Sequence, residues 1–140
     1  MTFALNILLG AAGGTVTALL LTMRQPKDRV IPLAILLSVA AGIYVGFGLR
    51  DEQPGQAVLQ VLGALPFLAV AAVWPRSLRI LGAAWLTHRA WDALHGFGIA
   101  HATVPSWYPG VCFGWDMVLG VTALCWAYAS HNDAVGHPEE

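Results

Sequence analysis

The chain has 140 residues, 57% of them hydrophobic and 11% charged, with a mean hydropathy of +0.64 and a formal net charge of -1. A soluble domain carries about 25% charged residues, so the composition excludes an ordinary water-soluble globule and indicates an integral membrane protein. Near-neutral charge, with no stretch that combines clustered Lys and Arg with aromatic residues, excludes a nucleic-acid-binding surface.

Five apolar runs are predicted as membrane spans, at about residues 3–23, 30–49, 57–74, 78–100 and 110–130, each near the ~20 residues that cross a hydrocarbon core. The first starts almost at the N-terminus with no basic segment ahead of it, so it reads as a span rather than a cleaved signal peptide. Its small-residue run from Gly10 to Gly14 offers a surface for close helix packing. The third has Pro66 at its middle and Gln56 and Gln60 at one end; proline within a span is tolerated where neighbours satisfy the freed carbonyl. The fourth carries Arg79 at its start and His88, Arg89, Asp92 and His95 further along, and the fifth carries Asp116 six residues in. Cys112 and Cys125 lie thirteen residues apart in that last run, about 20 Å along a helix and too far for one disulfide. The connections are short and marked by proline or glycine, so residues 1–130 form one all-α transmembrane bundle, followed by a polar tail at 131–140 that includes His131 and His137.

Five of the seven basic residues, Arg24, Lys27, Arg29, Arg76 and Arg79, fall in the first and third connections or beside them. The positive-inside rule makes that side cytoplasmic, with the N-terminus outside and the tail inside, in the manner of a bacterial inner-membrane protein. Trp107 and Tyr108 then mark the outer interface, and Trp74, Trp126 and Tyr128 the inner one.

The fourth run contains His88-Arg-Ala-Trp-Asp92-Ala-Leu-His95. At about 100° per residue, Asp92 and His95 fall within about 40° of His88, so two imidazoles and a carboxylate share one helix face. Charged groups near a bilayer centre cost roughly 3 kcal/mol even on a lenient scale, and those retained mark a site, a pathway or a partner. Counting at about 1.5 Å per residue puts Asp116 level with His95, so two carboxylates and two histidines are expected to converge. Asn6, Asp51, Glu52, Gln60, Arg89 and His101 crowd the same outer end, whereas the inner halves are aliphatic and aromatic. A polar cavity open to the outer face would produce that asymmetry.

His and Asp on adjacent turns suit Zn, Mn, Fe or Co, and a catalytic metal commonly has three protein ligands and an open position. His88, Asp92 and His95 are the candidate ligands of a divalent metal, zinc first. Asp116 is a fourth ligand, a carboxylate behind a histidine, or a general base. Arg89 reads either as a catalytic clamp for an anionic group or as a counter-ion to Asp92 or Asp116. Trp85, Trp91 and Trp115 stack on a ligand or simply pack; Cys112, four residues before Asp116, is a soft ligand or a small buried side chain. The segment from His101 to Pro109 covers the cavity or turns the chain.

The run His88-Arg-Ala-Trp91-Asp92-Ala-Leu-His95, followed by Pro105, Trp107, Pro109, Cys112 and Asp116, resembles a family of small bacterial and fungal integral membrane proteins of unknown function, which carry H-x-x-W-D-x-x-H and a later aspartate in the last helix. The likeness covers about the last third of the chain and implies no substrate. The sequence reading is therefore a metal-dependent, hydrolase-like membrane enzyme acting on a lipid or another small hydrophobic substrate. Its rivals are a carrier of metal or haem, a structural subunit whose polar cluster fixes helix packing, and a proton or ion path. The sequence sets no oligomeric state.

Overall fold

The computed structural model describes residues 2–100 and 103–136. The chain forms α1 (Phe3–Thr22), α2 (Val30–Arg50), α3 (Pro54–Val73), α4 (Leu78–Gly96) and α5 (Tyr108–Gly136), with a short 3-10 turn at Pro26–Asp28 and no strand among the described residues. Helix starts follow local chemistry: the Thr2 and Ser77 side chains accept from the amides of Leu5 and Ile80, and Pro54 opens α3 where its missing N–H costs nothing. The end of α4 falls four residues short of the apolar run that contains it. Gly98 takes a φ of 70°, its N–H donates to the His95 carbonyl, and the Ile99 N–H donates to the Leu94 carbonyl. Those two bonds are a Schellman cap, which stops the helix even though apolar residues continue. In the other direction, α5 runs through part of the expected tail to Gly136, since no breaker precedes the Gly136-His-Pro sequence. His131 is exposed on this extension, while His101 and residues 137–140 lie outside the described residues.

Four segments, Phe3–Thr22, Pro26–Arg50, Gly55–Val73 and Tyr108–Asn132, are long and apolar enough to cross a membrane. They mark a membrane protein, and large aliphatic side chains such as Leu8, Val16, Ile35 and Leu62 line its outer surface. Helix α4 has 19 residues, sufficient length, but Arg79, Arg89, Asp92 and two histidines leave it less apolar than the rest. Its route is set by neighbours. Gly63 and Phe67 of α3 meet Trp91 and His88, and Gly120 and Leu124 of α5 meet Leu86 and Gly82, so α4 lies antiparallel to both. Helices α2 and α3 are also antiparallel, joined where Gly48 approaches Gln56 and Gln60. Helices α3 and α5 thus point the same way and α4 the opposite way.

Helices α1 and α5 run parallel and are the most closely approached pair. A Cβ added at Gly10 would strike the Val111 carbonyl, and one added at Gly114 would strike the Ile7 carbonyl and the Ala11 amide. Backbones this close gain dispersion contacts that lipid cannot outcompete. Between the helices lies an aliphatic and aromatic core that includes Leu33, Leu37, Leu81, Trp85 and Leu119. At one end of the bundle, Arg29 stacks 4.9 Å from the Trp126 ring, bringing the first connection to the far part of α5. At the other end, Asp51 accepts from the Thr103 amide and hydroxyl at 2.9 and 2.8 Å, which pins the α4–α5 connection to the α2–α3 turn.

The amides of Gln53 and Thr103 and the Thr103 hydroxyl hold the Asp51 carboxyl below the usual carboxylate range. A depressed pKa contributes stability above the unfolded value and loses it as pH falls through the folded one. The protection of the Thr103 amide, measured as its hydrogen-exchange rate relative to an unfolded chain at the same pH, is therefore expected to fall below about pH 4, and Asp51→Ala is expected to show the low protection at neutral pH. A second expectation concerns packing: Gly114→Ala should lower unfolding free energy in detergent by about 1–3 kcal/mol. Gly46→Ala, where an added Cβ meets nothing within 4 Å, should be neutral or slightly stabilising.

Candidate metal centre

Helix α4 presents His88, Asp92 and His95 to the interior, and all three are buried. The other side of the site comes from three helices. Asp116 of α5 lies with its Oδ2 2.6 Å from His88 Nδ1, and the Tyr44 hydroxyl of α2 donates to Asp92 Oδ1 at 2.8 Å. His88 Nδ1 is also 3.8 Å from Asp92 Oδ1. Gln60 of α3 lies with its amide nitrogen 2.9 Å from His95 Nε2. The polar stripe of one helix is thus answered by single polar residues on α2, α3 and α5.

Tautomers follow from these partners. A main-chain carbonyl only accepts, so His95 Nδ1, 2.9 Å from the Trp91 carbonyl, carries a hydrogen. In neutral His95 the Nε2 lone pair then receives the Gln60 N–H, and both ring nitrogens are engaged. With Asp116 as a carboxylate, His88 Nδ1 is likewise the donor and its lone pair sits on Nε2. That atom is buried without a partner, and so is Asp92 Oδ2. Phe67 closes on the His88 ring edge-on at 4.7 Å between centroids, and Tyr44 lies at 6.1 Å.

His88, Asp92 and Asp116 each offer a ligand atom, all within 4.8 Å of one another. The structure therefore brings together three of the four residues expected to hold a metal, while His95 stands beside them with its nitrogens on Trp91 and Gln60. Arg89 points elsewhere. It donates to Met117 Sδ at 2.9 Å and stacks 5.2 Å from the Phe113 ring, so its hydrogen bond is made on the half-exposed α4–α5 seam and not with Asp92 or Asp116. Trp91 packs its indole against Gly63 and its edge against His95, and Trp115 fills the space over Gly13 of α1. Asn6 is buried against Gly110, and Asp51 stays with the loop.

A cleft of about 250 Å³ opens between α2 and α5, two helices that scarcely meet. Val39 and Ile43 on its α2 wall are exposed, whereas Trp85 and Asp116, which also line it, are buried. It therefore runs from the apolar surface to the cluster. Tyr108 closes it toward one end by packing on Tyr44 and Phe47 at 5.5 and 5.1 Å. Cys112 lines this cleft rather than the metal-ligand group.

Tyr44 is the residue the sequence reading missed. Three tyrosines occur in the chain; Tyr44 is the one wholly buried, and a hydroxyl buried within an apolar span needs an acceptor there. Tyr44→Phe keeps the ring and removes one donor from a buried carboxylate. It is expected to lower unfolding free energy by about 1–3 kcal/mol, measured by denaturant titration in detergent, with the helix content unchanged.

No curated protein and no solved structure matches the chain. Residues 5–132 match a family of unknown function, DUF6010. That match spans α2, α3 and α4 in full, most of α1 and α5, and all of the cluster and the cleft, and the chain belongs to this family.

Proposed function

We propose that the protein is a metal-dependent membrane enzyme in which His88, Asp92 and Asp116 hold a divalent cation, with zinc the first candidate, and that it hydrolyses a hydrophobic substrate. The observation that carries this reading is a surplus of buried acceptors. His88 Nε2, Asp92 Oδ2 and Gln60 Oε1 are all without partners, two carboxylates share one imidazole, and the nearest arginine has turned to Met117 and Phe113. Buried carboxylates need a positive partner or a proton, and a cation at the three ligand atoms supplies the missing charge.

Without the ion, Asp116 Oδ2 accepts from His88 Nδ1 at 2.6 Å, and a cation held by both residues would take the place of that hydrogen. Tyr44 supports Asp92 from the other side by donating to Oδ1. A divalent cation would supply a polarised carbonyl or a water acidic enough to attack at neutral pH. Asp116 also lines the cleft, so it is the residue placed to take a proton from an incoming nucleophile. Haem has less support, since the Phe67 and Tyr44 rings occupy the space beside His88 that a macrocycle would need. An ion path has less support again, because the residues beyond His88 toward the opposite end are Leu81, Trp85, Leu119 and Ala123. Helix α4 completes a fifth span in this reading, with the N-terminus outside and the basic first and third connections on the cytoplasmic side of a bacterial inner membrane.

Metal content of the purified full chain, measured by mass spectrometry after zinc, manganese or cobalt reconstitution, tests the centre. Wild type and His95→Gln are expected to retain near-stoichiometric metal, and His88→Ala and Asp92→Asn to lose it. Asp116→Asn should bind more weakly by about 10–100-fold. Folded, metal-free wild type after reconstitution would overturn the reading and leave the cluster as the polar tie between α2, α4 and α5.

A further inference from the structure

The cleft between α2 and α5 has two chemically distinct ends. Its exposed wall carries Val39 and Ile43, with the half-buried Ala40 beside them, on a helix that is long and apolar enough to lie in a membrane. Its buried end holds Asp116 and Trp85, and the Trp85 indole N–H has no hydrogen-bond partner although the residue is only 1% exposed. A buried N–H without an acceptor costs free energy that an incoming oxygen would recover. No lysine or arginine is among the described residues that line the cleft. At about 250 Å³ the space is below the usual range for a whole drug-sized ligand. It takes one chain, not two.

We infer that this cleft admits, sideways from the membrane, an uncharged single-chain amphiphile whose carbonyl or hydroxyl oxygen accepts from the Trp85 N–H beside Asp116. Phosphate and free carboxylate head groups find no lysine or arginine along the cleft, and a divalent cation at the centre would already be balanced by Asp92 and Asp116; two-chain lipids are rejected for want of volume. That this molecule is the substrate rests on the metal-dependent reading above; that it binds does not.

Binding of tritiated monooleoylglycerol to the purified full chain, with zinc content measured on the same samples, separates the two. Saturable binding is expected to wild type, weaker by about threefold to tenfold in Trp85→Phe, and lost in Ala40→Trp, which fills the cleft. Monooleoyl lysophosphatidate, with the same chain and an anionic head, is expected not to compete. Absence of saturable binding, binding unchanged in Trp85→Phe, or equal competition by the anionic lipid would each overturn the inference. Trp85→Phe keeps an aromatic ring, removes the N–H and leaves the cleft open, and so keeps the test decisive should Ala40→Trp fail to fold. Zinc retained without lipid binding overturns the cleft assignment and leaves the metal centre; lipid bound without zinc overturns the metal centre and the substrate role with it.

Discussion

The burial of the polar face of α4 is the constraint on which the bundle depends. His88, Asp92 and His95 cannot face hydrocarbon, because unpaired charged or polar groups there cost several kcal/mol each in order of magnitude. Each is therefore met by a residue from another helix: Asp116 from α5, Tyr44 from α2 and Gln60 from α3. The positions of three helices around α4 follow from those meetings. Polar contacts between membrane helices average only about 0.6 kcal/mol, so the cluster contributes less to stability than to register. A shift of one turn along α4 would move every one of these pairs out of reach.

Apolar packing then decides which faces close and which stay open. The glycines of α1 and α5 let the two backbones touch at Gly10, Gly14 and Gly114, and Gly82 and Gly120 do the same for α4 and α5. Helix α5 is consumed on two sides by those seams. Toward α2 it has only Tyr108 at one end and Trp126 beneath Arg29 at the other, and the gap between the two closures is the cleft. The same small residues that tighten the bundle on one side thus leave it separated on the other.

Much of this was legible in the sequence. Hydrophobic run lengths gave five helices within a few residues, since lipid leaves so few other solutions for a backbone. The convergence of His88, Asp92 and Asp116 was readable from spacing on α4 and depth counting on α5. The end of α4 was not, because a Schellman cap depends on Gly98 and two backbone bonds rather than on polarity. Nor was Tyr44, since one hydroxyl in an apolar run has no periodicity to detect. The rotation of His95 toward Gln60, and of Arg89 away from the carboxylates, depends on side-chain torsions that a helical wheel does not contain.

The position of Arg89 has the largest consequence for the chemistry. Sequence proximity allows it to reach Asp92 at i+3 or Asp116 across the α4–α5 interface, and either bond would have made the cluster electrostatically complete within the chain. A bidentate arginine would have satisfied carboxylate oxygens with fixed donors and left no place for an ion. Instead the guanidinium stacks on Phe113 and donates to Met117. Helix geometry alone does not decide this: residue 89 lies about 100° around α4 from residue 88 but about 60° from residue 92, so the side-chain torsions that lay the guanidinium on the seam make the difference. With that hydrogen bond spent on Met117, Asp92 and Asp116 have no arginine donor, and the proposed cation is what would supply the charge.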